Sequence, residues 1–160
     1  MAAGREQAWS LRFLPVGATM RRMKHLIVAV DGSEPSLKGA RTALEYAKPF
    51  GAKVTFVYVV APTVMPGDAP WAPLDELHQA ELARGQQVLG RAVEALGSPA
   101  VGCVVKLGPP AETIAELADV QGADMVVVGS RGLGAVKRLL VGSVADRLVH
   151  ICQRPVLVVH

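Results

Sequence analysis

Apolar positions along this chain follow two rhythms that alternate from about residue 25 to the C-terminus. The segments HLIVAVD, KVTFVYVV, VGCVVKL, ADMVVVG and PVLVV are short, largely apolar and rich in β-branched residues. Such runs predict strands buried on both faces, because a strand with one wet face would alternate apolar and polar residues. Between them the apolar residues recur every three or four positions. Leu37, Ala40, Leu44 and Ala47 form one such series, and Ile114, Leu117 and Ala118 another. Leu74, Leu77, Val88, Leu89, Ala92, Val93 and Leu96 form a longer one, and SVADRLVHIC is a short apolar-periodic segment near the end. Each predicts a helix with a single core-facing side. The punctuation agrees: Ser33 is a candidate N-cap with Pro35 in the first turn, Pro49 and Gly51 stop that helix, and Gly97 and the GPP triplet mark later breaks. The stretch APTVMPGDAPWAP, residues 61–73, holds four prolines and a glycine and predicts a long exposed connection of the kind that carries a lid.

Five strands therefore alternate with four helices. This pattern predicts an α/β fold, a single doubly wound domain whose parallel sheet is covered on both faces. Sheets of this kind bind ligands beyond the carboxyl ends of their strands, where the strand order reverses. Asp31 after the first strand, the loop from Val59 to Pro73 after the second, and the stretch from Gly129 after the fourth all lie at such ends. They are expected to share one rim.

A chain of 160 residues, 51% of them hydrophobic, has the material for one real core. No apolar stretch reaches the roughly 18 residues of a membrane-spanning helix, and no secretory signal opens the chain, so a cytoplasmic protein is expected. The formal net charge of +3 is unevenly placed: Arg5, Arg12, Arg21 and Arg22 stand against Glu6 alone in the first 22 residues, leaving the rest neutral. With 4% aromatics there is neither a phosphate-tracking stripe nor a stacking platform, so nucleic acid is not an expected partner. Residues 1–22 show no sustained period. They are expected to form a disordered extension or to precede a true start at Met20 or Met23. Cys103 and Cys152, each in or beside an apolar run, are expected as buried free thiols. His25, His78, His150 and His160 lack metal-ligand spacing.

The chemistry concentrates in GSRGLGAVKRLLVGS, residues 129–143. A loop that wraps phosphate needs inward backbone N–H groups, positions without Cβ for close approach, and preferably a helix N-terminus aimed at the charge. Gly129, Gly132 and Gly134 supply a permissive turn, and Gly142 and Ser143 stand directly before a helix. Ser143 and Asp146 also fit a capping box, which would give the serine a purely structural role. The Walker spacing GxxxxGK[ST] is absent, and GxGxxG fails after Gly134. Lys137 and Arg138 read as an exposed basic patch.

The spacing Gly129-x2-Gly132-x9-Gly142-Ser143 resembles the signature of the universal stress protein family, ATP-binding subgroup. KHLIVAVDGSEPS, GPPAETI, GADMVVVGSRG and QRPVLVV resemble further segments of that family in the same order, so the likeness spans residues 23–160. The resemblance implies a five-stranded parallel sheet ordered 3-2-1-4-5 with four helices. It implies that Asp31 accepts hydrogen bonds from ribose hydroxyls and that the backbone of Val59 reads adenine, with Ala29 near the base where some relatives carry proline. Gly129, Ser130, Arg131 and Gly132 would wrap the ribose and phosphate side, and Gly142, Ser143 and Val144 would present amides and a hydroxyl to the phosphates. For Asp31 the residues also allow a capping role toward the helix that follows. The implied ligand is ATP, with Mg or Mn on its phosphates, and the implied assembly is a homodimer through the last strand, Pro155 to Val159, whose apolar edge invites pairing.

Three functions follow as alternatives. One is a nucleotide-dependent stress-response module. The second is a slow ATPase or a phosphoryl- or adenylyl-transferring enzyme, although the loop offers no evident base to activate water and HIGH-type and SGGxDS-type motifs are absent. The third is an interaction module with a vestigial pocket.

Overall fold

The computed structural model of the protein describes residues 22–62, 74–133 and 141–160. Five strands form one parallel sheet: β1 (His25–Ala29), β2 (Lys53–Val60), β3 (Gly102–Leu107), β4 (Met125–Gly129) and β5 (Val156–Val159). Their order is β3-β2-β1-β4-β5, as the resemblance implied. Four α-helices connect them: α1 (Glu34–Ala47), α2 (Leu74–Leu96), α3 (Pro110–Val120) and α4 (Ser143–Ile151). A short 3-10 turn, Lys48–Phe50, extends α1 where only a helix stop was expected.

The continuous apolar runs become strands because both faces of the sheet are covered. Val57, Ile114, Leu117, Val126 and Leu148 join one core layer beneath α3 and α4. Leu26, Val28, Ala40, Phe56, Leu89 and Val127 join the other beneath α1 and α2. Phe56, Leu26 and Ile27 are among the largest fully buried side chains, and each contributes roughly 1.5–3 kcal/mol by leaving water. Among the described residues no helix is long and apolar enough to cross a membrane.

At the amino ends of the strands a polar cluster closes the sheet. The ring Nε2 of His25 lies 2.9 Å from Thr55 Oγ1, and both residues are buried. Asp124 Oδ2 accepts from the backbone amides of Lys24 (2.7 Å) and His25 (3.0 Å), while the Asp124 amide donates to the His25 carbonyl. Burial holds the His25 imidazole below its ordinary value, with the Lys53 charge acting the same way against the Gln121 backbone and Asp124.

The cysteines are free, but neither is buried as expected: Cys103 is exposed and Cys152 half-buried. The apolar run around Cys103 belongs to the outer strand β3, and an apolar run does not by itself distinguish a central strand from an edge. The N-terminal extension and most of the proline-rich connection, residues 63–73, lie outside the described residues, as do Gly134, Lys137 and Arg138. Arg22, at the boundary of that extension, donates from Nε to the Phe50 carbonyl at 3.1 Å.

Candidate functional site: a cleft at the carboxyl rim

The chain leaves β1 to the β2 side and returns through α3 to place β4 on the other side of β1. Crossovers therefore diverge between β1 and β4, and a cavity of about 480 Å³ opens at their carboxyl ends. Every residue expected at the site except Ser130 lines it: Ala29, Asp31, Val59, Gly129, Arg131, Gly132, Gly142, Ser143 and Val144. One wall is apolar, because Ala29, Val57, Val59 and Ile114 belong to the same core layer and continue it to the rim. The opposite wall is made of backbone and short polar side chains.

Asp31 joins the two walls. Its Oδ1 accepts from both the amide (2.9 Å) and the hydroxyl of Ser33, in the turn that starts α1. Its Oδ2 accepts from the amide of Leu133, at 2.8 Å, in the loop after β4. One carboxylate oxygen is thus turned to Ser33 at the helix start and the other to the loop after β4. Partial burial raises the pKa of Asp31, but the bonds from Ser33 and Leu133 outweigh that and hold it below the ordinary carboxylate value. It is therefore a fixed anion at neutral pH. Ser33 is the N-cap of α1, its hydroxyl accepting from the Ser36 amide at 3.4 Å.

The glycines of the motif divide into different jobs. A Cβ on Gly129 would lie 2.6–2.8 Å from backbone atoms of Pro35 and Ser36. Only glycine lets the first turn of α1 sit that close to β4, so this position builds the fold as well as the cavity wall. A Cβ on Gly132 would meet Asp31 Oδ2 at 2.5 Å; its absence lets the loop close on the carboxylate. Ser130 is buried behind the wall. Its amide donates to Val159 O and its carbonyl accepts from Gly142 N, each at 2.7 Å, so it ties β5 and the start of α4 to the end of β4.

The capping box is not formed. Gly142, not Ser143, is the N-cap of α4, and no side chain bonds the helix start. The helix begins one residue earlier than the box requires, because the first helical bond runs from Asp146 N to Gly142 O at 3.0 Å. Ser143 is exposed at the first helical position, and Ser143, Val144 and Ala145 line the cavity. Arg131 and Leu133 are exposed at its mouth.

Strand alternation gives the apolar wall one polar feature. Val57 O accepts from Val30 N, and Val60 O accepts from Gly108 N. The carbonyl of Val59 therefore turns toward the β1 side, just past the last bond that β1 makes. Sequence reasoning missed Pro110, Ile114, Ser36 and Leu133 as lining residues. Ile114 was visible only as a core position, and nothing in the spacing says that the rim end of α3 reaches the cavity.

A model of the universal stress protein family matches residues 23–160, which include every residue lining this cavity. The chain belongs to that family. A universal stress protein of Methanocaldococcus jannaschii is 36% identical over 141 residues, covering 85% of this chain and 81% of that protein. Among solved structures, the universal stress protein UspA from Lactobacillus plantarum superposes with a TM-score of 0.73 at 25% identity, covering 87% of this chain and 99% of that one. A universal stress protein crystallised in complex with cAMP matches at 28% identity with a TM-score of 0.62, covering 87% of this chain and 98% of its own. Among the described residues of this universal stress protein, no group of three or more His, Cys, Asp or Glu is placed to hold a metal ion.

Proposed function

We propose that the cleft binds an adenine nucleotide, ATP carrying Mg or Mn on its phosphates, and that occupancy alters the surface offered to protein partners in a stress response. The observation that carries this reading is the start of α4. Its first residues line the cavity and have no side-chain cap, and their amides combine with the positive end of the helix dipole to favour an anion. The Val59 carbonyl would accept from the adenine amino group against the wall of Ala29 and Ile114, and Asp31 would face the sugar. A cation would ride on the phosphates, with the Ser143 hydroxyl, unused in capping, available as an oxygen ligand. The cAMP complex of a relative supports an adenine nucleotide in this family.

Calorimetry on Gly142→Val tests the reading. A Cβ at this position would already lie 3.3 Å from Arg131 Cα, so a branched side chain crowds that backbone and obstructs the phosphate approach. The affinity for ATP should fall by about 100-fold or more, which is about 2.7 kcal/mol. Unchanged affinity would refute the loop assignment.

We also propose a homodimer through β5. Val126 N donates to Pro155 O and Ser130 N to Val159 O, so alternation turns the amides of Val156 and Val158 to the open edge. Val158→Pro removes an outward donor without costing a bond to β4. It should yield monomers by light scattering, and a persistent dimer would point to another surface.

A further inference from the structure

Asp31 has fewer free acceptor positions than its place in the cleft suggests. A carboxylate offers about four lone-pair sites, two per oxygen. Both sites on Oδ1 are taken, by the amide and the hydroxyl of Ser33. One site on Oδ2 is taken by the Leu133 amide at 2.8 Å. One site remains. The Oδ2 atom that carries it lies against Gly132, and both residues line the cavity.

A ribose presents two adjacent hydroxyls. The grip that distinguishes a ribonucleotide from a deoxyribonucleotide uses one carboxylate oxygen for each, and here Oδ1 is fully committed to the start of α1. We infer that Asp31 takes one sugar hydroxyl at a time, so that the cleft accepts ribonucleotides and at least one class of monodeoxyribonucleotide with nearly equal affinity. The inference rests on the adenine-nucleotide reading of the cleft and specifies which sugars it admits. Asp31 is thereby a specificity residue by virtue of what it is already bonded to: Ser33 and Leu133 set the sugar tolerance by occupying its other lone pairs.

The experiment is calorimetric titration of the full chain with ATP, 2′-deoxy-ATP, 3′-deoxy-ATP and 2′,3′-dideoxy-ATP. At least one monodeoxy analogue should bind within about two-fold of ATP. The dideoxy analogue should bind about ten-fold or more weakly, as expected for loss of a hydrogen bond to an ionised acceptor. If each monodeoxy analogue alone loses ten-fold, the carboxylate grips both hydroxyls and the inference falls. If the dideoxy analogue binds as well as ATP, Asp31 takes no sugar hydroxyl, and the inference falls while the nucleotide reading stands. If none of the four binds, both fall together.

Discussion

At the amino rim of the sheet, His25 and Thr55 are 8% and 2% exposed and bonded to each other, and Asp124 is bonded to neighbouring backbone. At the carboxyl rim Asp31 is half-buried, bonded on three of its four acceptor sites, and faces a cavity of about 480 Å³. Both rims hold polar side chains at strand ends, yet one closes on itself and the other stays open. The cause is topological. On the carboxyl side the crossovers part between β1 and β4, so among the described residues no element covers the gap between those strands, whereas on the amino side the chain segments entering β1, β2 and β4 pack together. Polar groups at the closed rim serve the fold, and those at the open rim are free to serve a ligand in addition.

The strongest way to break this division is Gly129→Val, because the open rim rests on the contact between β4 and the first turn of α1. The side chain would collide with backbone at Pro35 and Ser36, and denaturant unfolding should show a loss of about 3 kcal/mol or more. Asp31→Ala should separate the two oxygens' roles: ATP affinity drops about 30-fold by calorimetry, while stability falls by only about 1 kcal/mol from the weakened start of α1. Thr55→Val at the closed rim should do the reverse, costing about 1–2 kcal/mol by stranding the His25 ring nitrogen and leaving ATP affinity unchanged. A Thr55→Val protein with weakened ATP binding would show that the rims are coupled.

The smallest effects lie in pH. The folded-state pKa of His25 is lowered from 6.5, so the folded protein binds that proton less readily than the unfolded chain. Its contribution is complete above pH 6.5 and is lost as pH falls from there through the folded-state value. Asp31, lowered from 3.8, contributes above pH 3.8 and loses that contribution only below it, as pH falls through its folded-state value. Unfolding midpoints should therefore decline in two separate windows, and His25→Gln should flatten the upper one alone. If the upper decline survives that substitution, another group is responsible.

The strands and helices were legible because each apolar run matched its period, with ends displaced by one or two residues. HLIVAVD, for example, ends as a strand at Ala29, with Val30 adding one last bond to the Val57 carbonyl and Val30 and Asp31 both lining the cleft. The rim positions of Asp31, Val59 and the glycine loop were legible because strand order decides where strand ends converge. What stayed hidden depends on contacts that no spacing records. Ser143 fits a capping box on paper, but Gly142 O accepts the first helical bond, from Asp146 N, and the helix starts one residue earlier. Ser130 carries a hydroxyl in a suggestive loop, and no spacing records the backbone bonds that tie it to Val159 and Gly142. Cys103 sits in an apolar run that reads as buried, although the strand order the resemblance implied already made β3 an outer strand.

Gly129 carries a practical lesson for sorting relatives. A descendant that had lost all use for a ligand would still need glycine there, because α1 cannot dock on β4 otherwise, so that glycine testifies to ancestry alone. Gly132 and Gly142 answer instead to the cleft's own parts, Asp31 Oδ2 and the Arg131 backbone, and Ser143 is exposed beside them. A diagnostic for which members still hold a nucleotide should be scored on those positions, with the first glycine of the signature given no weight.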